Sequence, residues 1–409
     1  MLPAADAAPQ RWDLFTLFIW LICGYLLLLP LGNIALYASS TLAAGNELTA
    51  DRARFAVVNA LTLTGFQSGI SIETYPWPGQ VVILLLTLTG TAFSMIAGGL
   101  AVVRIAKLPF DDGQVVRAGL TACAAMTVLG TLPLMESGGT LLGALMLSAG
   151  SLGNSGLYLG RLPAMAGWQT HLVILPLAVI GTLGLPVLME LYDLVLRRRP
   201  LSFYSRTVLW LTGLFYIAGF ALLLVLRWMS APSLSGSAQD TASFIASASV
   251  ASINSRTLGL PFEYAQDFPR AMRWGVVLLM IVGGSPASAA GGLKTTTLYE
   301  LVRNTWLILA GQQPARAMGF AVVWVASYIG LVVLAFLSLL LADPQLSAER
   351  AFYEVVSAVS NAGLSYDRIF TVSPGLDVLT VAMLMGRVVP LLILWWMATK
   401  TEEAELPVA

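Results

Sequence analysis

Long apolar runs alternate with shorter, more polar ones along the whole of this 409-residue chain. A helix needs about 20 apolar residues to cross roughly 30 Å of hydrocarbon. Eight runs reach that length, near 14–40, 79–106, 115–135, 168–196, 205–229, 271–309, 317–342 and 374–398. Between the members of successive pairs lie segments near 51–63, 139–154, 239–255 and 348–361, too short or too polar to span. They suit helices that enter the bilayer and turn back, a course tolerated only where protein buries the backbone or water lines it. Each is followed by a glycine with Phe or Leu after it, at Gly65-Phe66, Gly156-Leu157, Gly259-Leu260 and Gly363-Leu364, roughly a hundred residues apart. The pattern predicts an all-α integral membrane protein with eight transmembrane helices and four re-entrant pore helices. These form four tandem repeats of spanning helix, pore loop and spanning helix around one central pathway. After a segment 1–13, the predicted repeats cover 14–107, 108–199, 200–312 and 313–409, with pore loops near 51–70, 139–160, 239–262 and 348–367.

Composition agrees with a bilayer as solvent. The chain is 57% hydrophobic and 11% charged, with a mean hydropathy of +0.80, against roughly 25% charged in soluble domains. Lys and Arg balance Asp and Glu at 22 each, so no net charge points to nucleic acid or acidic substrates. Cys23 and Cys123 lie inside apolar runs without metal-ligand spacing and read as lipid-facing or packed thiols. Met1–Gln10 lack the basic, apolar and cleavage pattern of a signal peptide, so the first run is expected to be a retained helix. No phosphate-binding Gly-Lys-Ser/Thr loop, metal-spaced His-Glu pair or paired intramembrane carboxylates occur, so the chain alone is no ATPase and no enzyme is expected.

Basic residues set an expected orientation. Arg104, Lys107, Arg197, Arg198, Arg199, Arg206, Arg303 and Arg316 crowd the connections between repeats, and Arg11 precedes the first run. The positive-inside rule makes that side and both termini cytoplasmic, so the loops dip in from outside. Arg52, Arg54, Arg161, Arg256, Arg270 and Arg273 run against the count, and several of them, in or beside the loops, are expected to be buried in protein. Trp168, Trp228, Trp274, Trp395 and Trp396 read as interface anchors, and His171, the only histidine, as an interfacial residue.

The loop glycines carry the candidate chemistry. Backbone carbonyls on several sides of a narrow filter can replace the hydration shell of a cation, and glycine accepts the dihedral angles this needs. The candidate filter is therefore the main chain of Leu63, Thr64, Gly65, Asn154, Ser155, Gly156, Thr257, Leu258, Gly259, Asn361, Ala362 and Gly363. Side chains differ among the four, so backbone would do the binding. Close helix packing by glycine is the bland alternative.

The run Gly283-Gly284-Ser285-Pro286-Ala287-Ser288-Ala289-Ala290-Gly291-Gly292-Leu293-Lys294-Thr295-Thr296-Thr297 resembles the signature of the TrkH/KtrB superfamily of potassium transporters. Ser255-Arg256-Thr257-Leu258-Gly259, Phe352-Tyr353-Glu354-Val355-Val356-Ser357-Ala358 and Gly386-Arg387-Val388-Val389-Pro390-Leu391 are similar to its other motifs. The resemblance implies pseudo-fourfold symmetry about one pore, a homodimer in the bacterial inner membrane, and K⁺ uptake with some Na⁺ or Rb⁺ leakage. It further implies control by a separate cytoplasmic nucleotide-binding ring of the TrkA/KtrA type. K⁺ is the permeant ion, with no organic cofactor on this chain. Glycine at position 65 accompanies potassium preference in that family.

The same run has its own physics. Four glycines with Pro286 cannot sustain a rigid helix, so 283–292 is expected to form a loop between half-helices; the resemblance makes it an intramembrane gate, and a kinked helix is the alternative. The candidate gate residues are Gly283, Gly284, Ser285, Pro286, Gly291, Gly292, Lys294 and Arg387. Lys294 can hold the loop, face the cytoplasmic cavity or snorkel to the headgroups. Arg387, midway along the last run, reads as an electrostatic barrier, as an anchor for the loop, or as the partner of Glu190 or Glu300. Glu73, Glu263 and Asp367 follow loop glycines and either focus cations at an outer mouth or are solvated turn residues; Arg161 stands in the second repeat. Intramembrane acids are few, which favours channel-like uptake over Na⁺- or H⁺-coupled symport.

Overall fold

The computed structural model describes residues 12–39, 48–66, 71–230, 238–315, 317–367 and 374–403. Arg11, Arg316, Met1–Gln10 and residues 67–70 of the first predicted loop lie outside them. The described residues are helical, with one isolated bridge, Val282 to Leu293, and no sheet among them. In chain order the helices are α1 (Leu14–Ala38), α2 (Ala50–Leu61), α3 (Trp77–Ile105), α4 (Asp112–Gly138), α5 (Leu141–Leu152), α6 (Leu175–Leu183) and α7 (Leu185–Arg197). There follow α8 (Phe203–Ser230), α9 (Ala238–Ile253), α10 (Arg270–Ile281), α11 (Thr295–Leu309), α12 (Ala317–Ala342), α13 (Ala348–Val359) and α14 (Gly375–Glu403).

Local chemistry starts and stops these helices. The side chains of Asp13, Thr140 and Ser347 accept N–H groups of the first turns of α1, α5 and α13, and Asp111 forms a reciprocal capping box with Gln114 at α4. Among the described residues, α1, α3, α4, α8, α12 and α14 are long and apolar enough to cross a membrane. Two of the eight predicted spans are interrupted. The run expected over 168–196 opens in a π-turn at Thr170–Ile174, continues as α6 and then bends by 105° into α7. Gly184 at the bend has φ 84°, and Pro186 at the start of α7 lacks the N–H that would continue the ladder. The run over 271–309 stops at Ile281 and resumes at Thr295. Six spanning helices result, or seven if the bent pair counts as one.

The short helices α2, α5, α9 and α13 each pack against the helix before and the helix after them in the chain. Three of them meet the following helix at a glycine. A Cβ built on Gly90 would stand 2.2 Å from the Leu61 carbonyl oxygen, on Gly181 2.0 Å from that of Leu152, and on Gly386 2.2 Å from that of Val359.

One end of the bundle is tied by a buried ion pair. Arg104 and Asp112 meet at 2.7 Å with side chains almost fully enclosed, and Trp12 bonds both through its carbonyl and N–H. The end of α14 lies there too: Trp395 donates to Ala97 O and packs on Phe18, so this tryptophan is buried rather than an interface anchor. Trp168, Trp228, Trp274 and Trp396 stay exposed. At the opposite end Arg54 pairs with Asp377 and Arg273 with Glu349, while Arg256 is buried in protein. Removing one member of a buried pair strands the other charge, at about 3–5 kcal/mol. Asp112→Ala should therefore lower the thermal-unfolding midpoint of the purified protein markedly, whereas Asp377→Ala, removing a half-exposed pair that contributes less than about 1 kcal/mol, should move it little.

Candidate ion-conduction site

Helices α2, α5 and α13 end alike. Leu63, Asn154 and Asn361 take left-handed φ values of 60°, 52° and 47°. The next residue's N–H bonds a carbonyl five residues back: Thr64 to Asn59, Ser155 to Gly150 and Ala362 to Ser357, at 3.1, 2.9 and 2.9 Å. This Schellman closure stops the helix and delivers the chain to Gly65, Gly156 and Gly363, again left-handed at 88°, 61° and 73°. Asparagine tolerates that region; Leu63 occupies it at a cost of about 1–3 kcal/mol. The third loop differs. Here α9 runs into a π-turn over Asn254–Leu258, holding Thr257 and Leu258, and only Gly259 turns left-handed, at φ 72°.

The four glycines close a ring in chain order. A Cβ on Gly65 would lie 1.3 Å from Ser155 O, on Gly156 2.4 Å from Gly259 O, on Gly259 2.4 Å from Ala362 O, and on Gly363 1.9 Å from Thr64 O. Each contact is main chain against main chain, so no rotating side chain can relieve it. All twelve candidate filter residues are buried and are brought together here.

Side chains behind the ring decide which way its backbone faces. Asn59 Oδ1 accepts the N–H groups of Gly65 and Phe66 at 2.8 and 2.9 Å, while its Nδ2 donates to Phe66 O. Asn254 does the same for Leu260, N–H and carbonyl, at 2.8 and 2.7 Å. Glu354 Oε1 accepts from Tyr366 N at 2.8 Å. In the second loop the helix offers Gly150, and a Cβ there would stand 2.2 Å from Leu157 O. These bonds satisfy the N–H groups of Gly65, Phe66 and Leu260 with side chains, so the ring need not supply acceptors for them. Asn154 and Asn361 spend their amides on Ala178 O and Met383 O, and Asn361 also donates to Thr64 Oγ1, tying the fourth loop to the first. Asn59, Asn254 and Glu354 were missed as positioning residues; the signal was a polar residue within each short segment.

The interrupted run lies against the ring. Its base is pinched where Gly283 N–H bonds Leu293 O and Leu293 N–H bonds Ile281 O, at 2.9 and 2.8 Å. Its flank is bound into the α6–α7 bend: Ser285 N–H donates to Thr182 O, Ala289 N–H to Gly181 O, Leu185 N–H to Ala287 O, and Ser285 Oγ to Leu183 O. A Cβ on Gly291 would meet Ser360 O at 2.1 Å, so the run also touches the fourth loop. Pro286 approaches α3, where a Cβ on Gly98 would stand 3.2 Å from its carbonyl. The Gly284 carbonyl accepts Thr295 N–H, and Gly292 is left-handed at φ 69°.

Three buried cations hold this backbone by its carbonyls. Arg387 Nε donates to Thr62 O at 2.9 Å and Nη1 to Ala289 O at 2.8 Å, with a further bond from Nη2 to Thr62 O. It thus bridges the end of α2 and the interrupted run. Its expected alternatives are engaged elsewhere, Glu190 with Ser202 and Glu300 with Asn304 and Arg303. Lys294 donates to Ala290 O at 2.6 Å and is 5% exposed, so it holds the run and does not snorkel. Arg256 donates to Val282 O and Gly283 O.

The three acids are not equivalent. Glu263 is paired with Arg227 at 3.1 Å and Asp367 with Arg350 at 2.9 Å. Burial pushes the Glu263 carboxyl above its ordinary value and the Arg227 guanidinium works against that rise. Glu73 accepts from Gly160 N–H at 3.2 Å, which joins the first loop's exit to the second's. Two of the three negative charges are thereby offset, weakening a focusing role for them. Cys23 and Cys123 are free thiols, exposed and buried respectively.

Residues 187–403 match the family model TrkH, cation transport protein. The chain belongs to the TrkH family. The match includes the bend's far side, the third and fourth loops, the interrupted run and Arg387. Among relatives, the potassium/sodium uptake protein NtpJ of Enterococcus hirae is 27% identical over 57% of this chain and 54% of its own length. The Ktr system potassium uptake protein B of Vibrio alginolyticus is 25% identical over 41% of this chain and 37% of its own length. The chain thus spans about half or less of these two, whereas its match to the Bacillus subtilis Ktr system potassium uptake protein B, 24% identical, covers 97% and 96%. The crystal structure of the potassium transporter TrkH from Vibrio parahaemolyticus has the same fold, with a TM-score of 0.66, 18% identity, and coverage of 94% of this chain and 85% of that one.

Replacing Asn59 by Ala leaves two buried N–H groups of the ring without an acceptor, about 1–3 kcal/mol for each group. Asn59→Ala should lower the thermal midpoint and reduce cation flux in proteoliposomes, and Asn59→Asp, which keeps the acceptor, should recover part of the stability. Unchanged midpoint and flux in Asn59→Ala would remove this residue from the ring's support.

Proposed function

We propose that this chain takes up potassium through the ring of loop carbonyls at Gly65, Gly156, Gly259 and Gly363. The observation that carries this reading is the closed contact of four glycine backbones, with the N–H groups of Gly65 and Leu260 taken up by Asn59 and Asn254. A cation passing such a ring exchanges water for carbonyl oxygens. The four short helices with their flanking helices are read as four repeats of pseudo-fourfold symmetry. Within the family, relatives bearing the name potassium uptake protein support K⁺ as the permeant ion, and the name of NtpJ supports some passage of Na⁺.

Control is assigned to residues 283–292 with Lys294 and Arg387. The run would stand beneath the ring, and Arg387 would act both as an anchor, through Ala289 O, and as a positive barrier to a permeant cation. An arginine within a span costs at least about 2.5 kcal/mol on insertion scales, and Arg387 is met by carbonyl oxygens rather than by a carboxylate. The chain is read as a homodimer in the bacterial inner membrane, with cytoplasmic termini, working with a nucleotide-binding ring of the TrkA/KtrA type. Transport is read as channel-like, down the electrochemical gradient.

Reversal potentials in reconstituted bilayers test the reading. A potential that follows the K⁺ gradient alone is expected; dependence on an imposed Na⁺ or pH gradient would instead establish symport, and absence of any K⁺ flux would overturn uptake altogether. Arg387→Ala should raise K⁺ flux through loss of the barrier and of the anchor. Uptake kinetics identical to those of the unaltered protein would exclude Arg387 from control.

A further inference from the structure

The residues two places before the loop glycines are Leu63, Asn154, Thr257 and Asn361. Leu63 is apolar. Asn154 Nδ2 donates to Leu152 O and Ala178 O, and Thr257 Oγ1 to Ile253 O, all on helices that flank their own loops. Asn361 differs. One of its amide protons goes to Met383 O of α14 at 2.9 Å, as Asn154 bonds α6, but the other crosses to Thr64 Oγ1 of the first loop, also at 2.9 Å.

The bond continues inward with a fixed direction. Thr64 Oγ1 lies 2.8 Å from Thr62 Oγ1, which in turn lies 2.7 Å from Val58 O. A hydroxyl has a single proton to give. The Val58 carbonyl can only accept, so the Thr62 proton goes there, the Thr64 proton goes to Thr62, and Thr64 accepts from Asn361. Asn361 is 1% exposed and both threonines are fully enclosed. No solvent is at hand to replace a broken link.

The link spans one seam of the ring. Here the Gly363 backbone meets Thr64, and a Cβ on that glycine would stand 1.9 Å from Thr64 O. Main-chain packing of that kind resists compression, because overlapping atoms repel, but it offers little against separation. A hydrogen bond resists both. The fourth loop thus grips the carbonyl side of Thr64 by contact and its hydroxyl by Asn361, which gives this seam a set spacing.

We propose that Asn361 is a positioning residue for ion choice, which through Thr64 fixes the width of the ring where the fourth loop meets the first. The proposal deepens the reading of the ring as the path of K⁺ and rests on it. Oxygens held at a spacing suited to the larger bare ion favour K⁺ over Na⁺. A seam free to contract or open forfeits that preference. Were discrimination set instead by the number and dipole strength of the carbonyls, loosening one seam would leave it intact.

The purified full chain is reconstituted in planar bilayers with K⁺ on one side and Na⁺ on the other, and the permeability ratio is read from the reversal potential. Thr64→Val, which keeps the shape and removes the hydroxyl, should lower the preference for K⁺ roughly two- to tenfold, the range one hydrogen bond spans. Asn361→Ala should do the same, and Thr64→Ser should recover most of the ratio. Both changes break one link, so the double variant should be no less selective than the worse single one. Asp377→Ala, which removes the half-exposed tie between α14 and Arg54, should leave the ratio as it was. Thr64→Val carries the test by itself where Asn361→Ala fails to assemble. An unaltered ratio in Thr64→Val, even with a lowered thermal midpoint, would overturn the inference, as would losses that multiply in the double variant or an equal loss in Asp377→Ala. In each of those cases K⁺ current through the unaltered chain would leave the uptake reading standing; absence of that current would overturn both.

Discussion

Irregular backbone at bilayer depth must find all its hydrogen-bond partners inside the protein, because hydrocarbon offers none and each orphaned group costs several kcal/mol. The site departs from helix in several places at once: four loops, the bend at Gly184 and the run between α10 and α11. Each departure frees N–H and carbonyl groups that something else must take up. The bend and the run solve this jointly, since the carbonyls released at Gly181–Leu183 accept N–H and hydroxyl groups of Ser285 and Ala289. Neither break would be tolerable beside an intact helix.

The same constraint sorts the polar side chains into two sets. Acceptors such as Asn59, Asn254 and Glu354 stand behind the loops and take N–H groups. Cationic donors, Arg256, Lys294 and Arg387, stand at the interrupted run and take carbonyls. This division concentrates positive charge at the interrupted run. Because Arg387 spans Thr62 O and Ala289 O, displacement of the run breaks bonds that also steady the end of α2. The end of α2 and the interrupted run are thus coupled through one side chain.

Much of this was legible in the sequence. Span lengths, the four short segments and the four glycines follow from hydrophobic patterning and from the dihedral freedom of glycine, both properties of neighbouring residues. The break after Ile281 was legible for the same reason, since four glycines and a proline oppose helix locally. The bend at Gly184 was not, although Gly184 and Pro186 stand in plain view, because an apolar run of that length satisfies the rule for a straight span. Only contact with Ser285 and Ala287 gives the bend its purpose.

Sequence by itself determined that the chain lives in a membrane, that its helices come in groups around four short ones, and that glycines end the loops. Tertiary structure alone decided the partners: that the glycines meet in a closed ring, that Arg387 bonds carbonyls rather than Glu190 or Glu300, and that Glu263 and Asp367 are tied to arginines. The physical reason is one of range. Periodicity and propensity act over a few residues, whereas a buried charge or carbonyl is satisfied by whatever the fold brings within about 3 Å, often from hundreds of residues away.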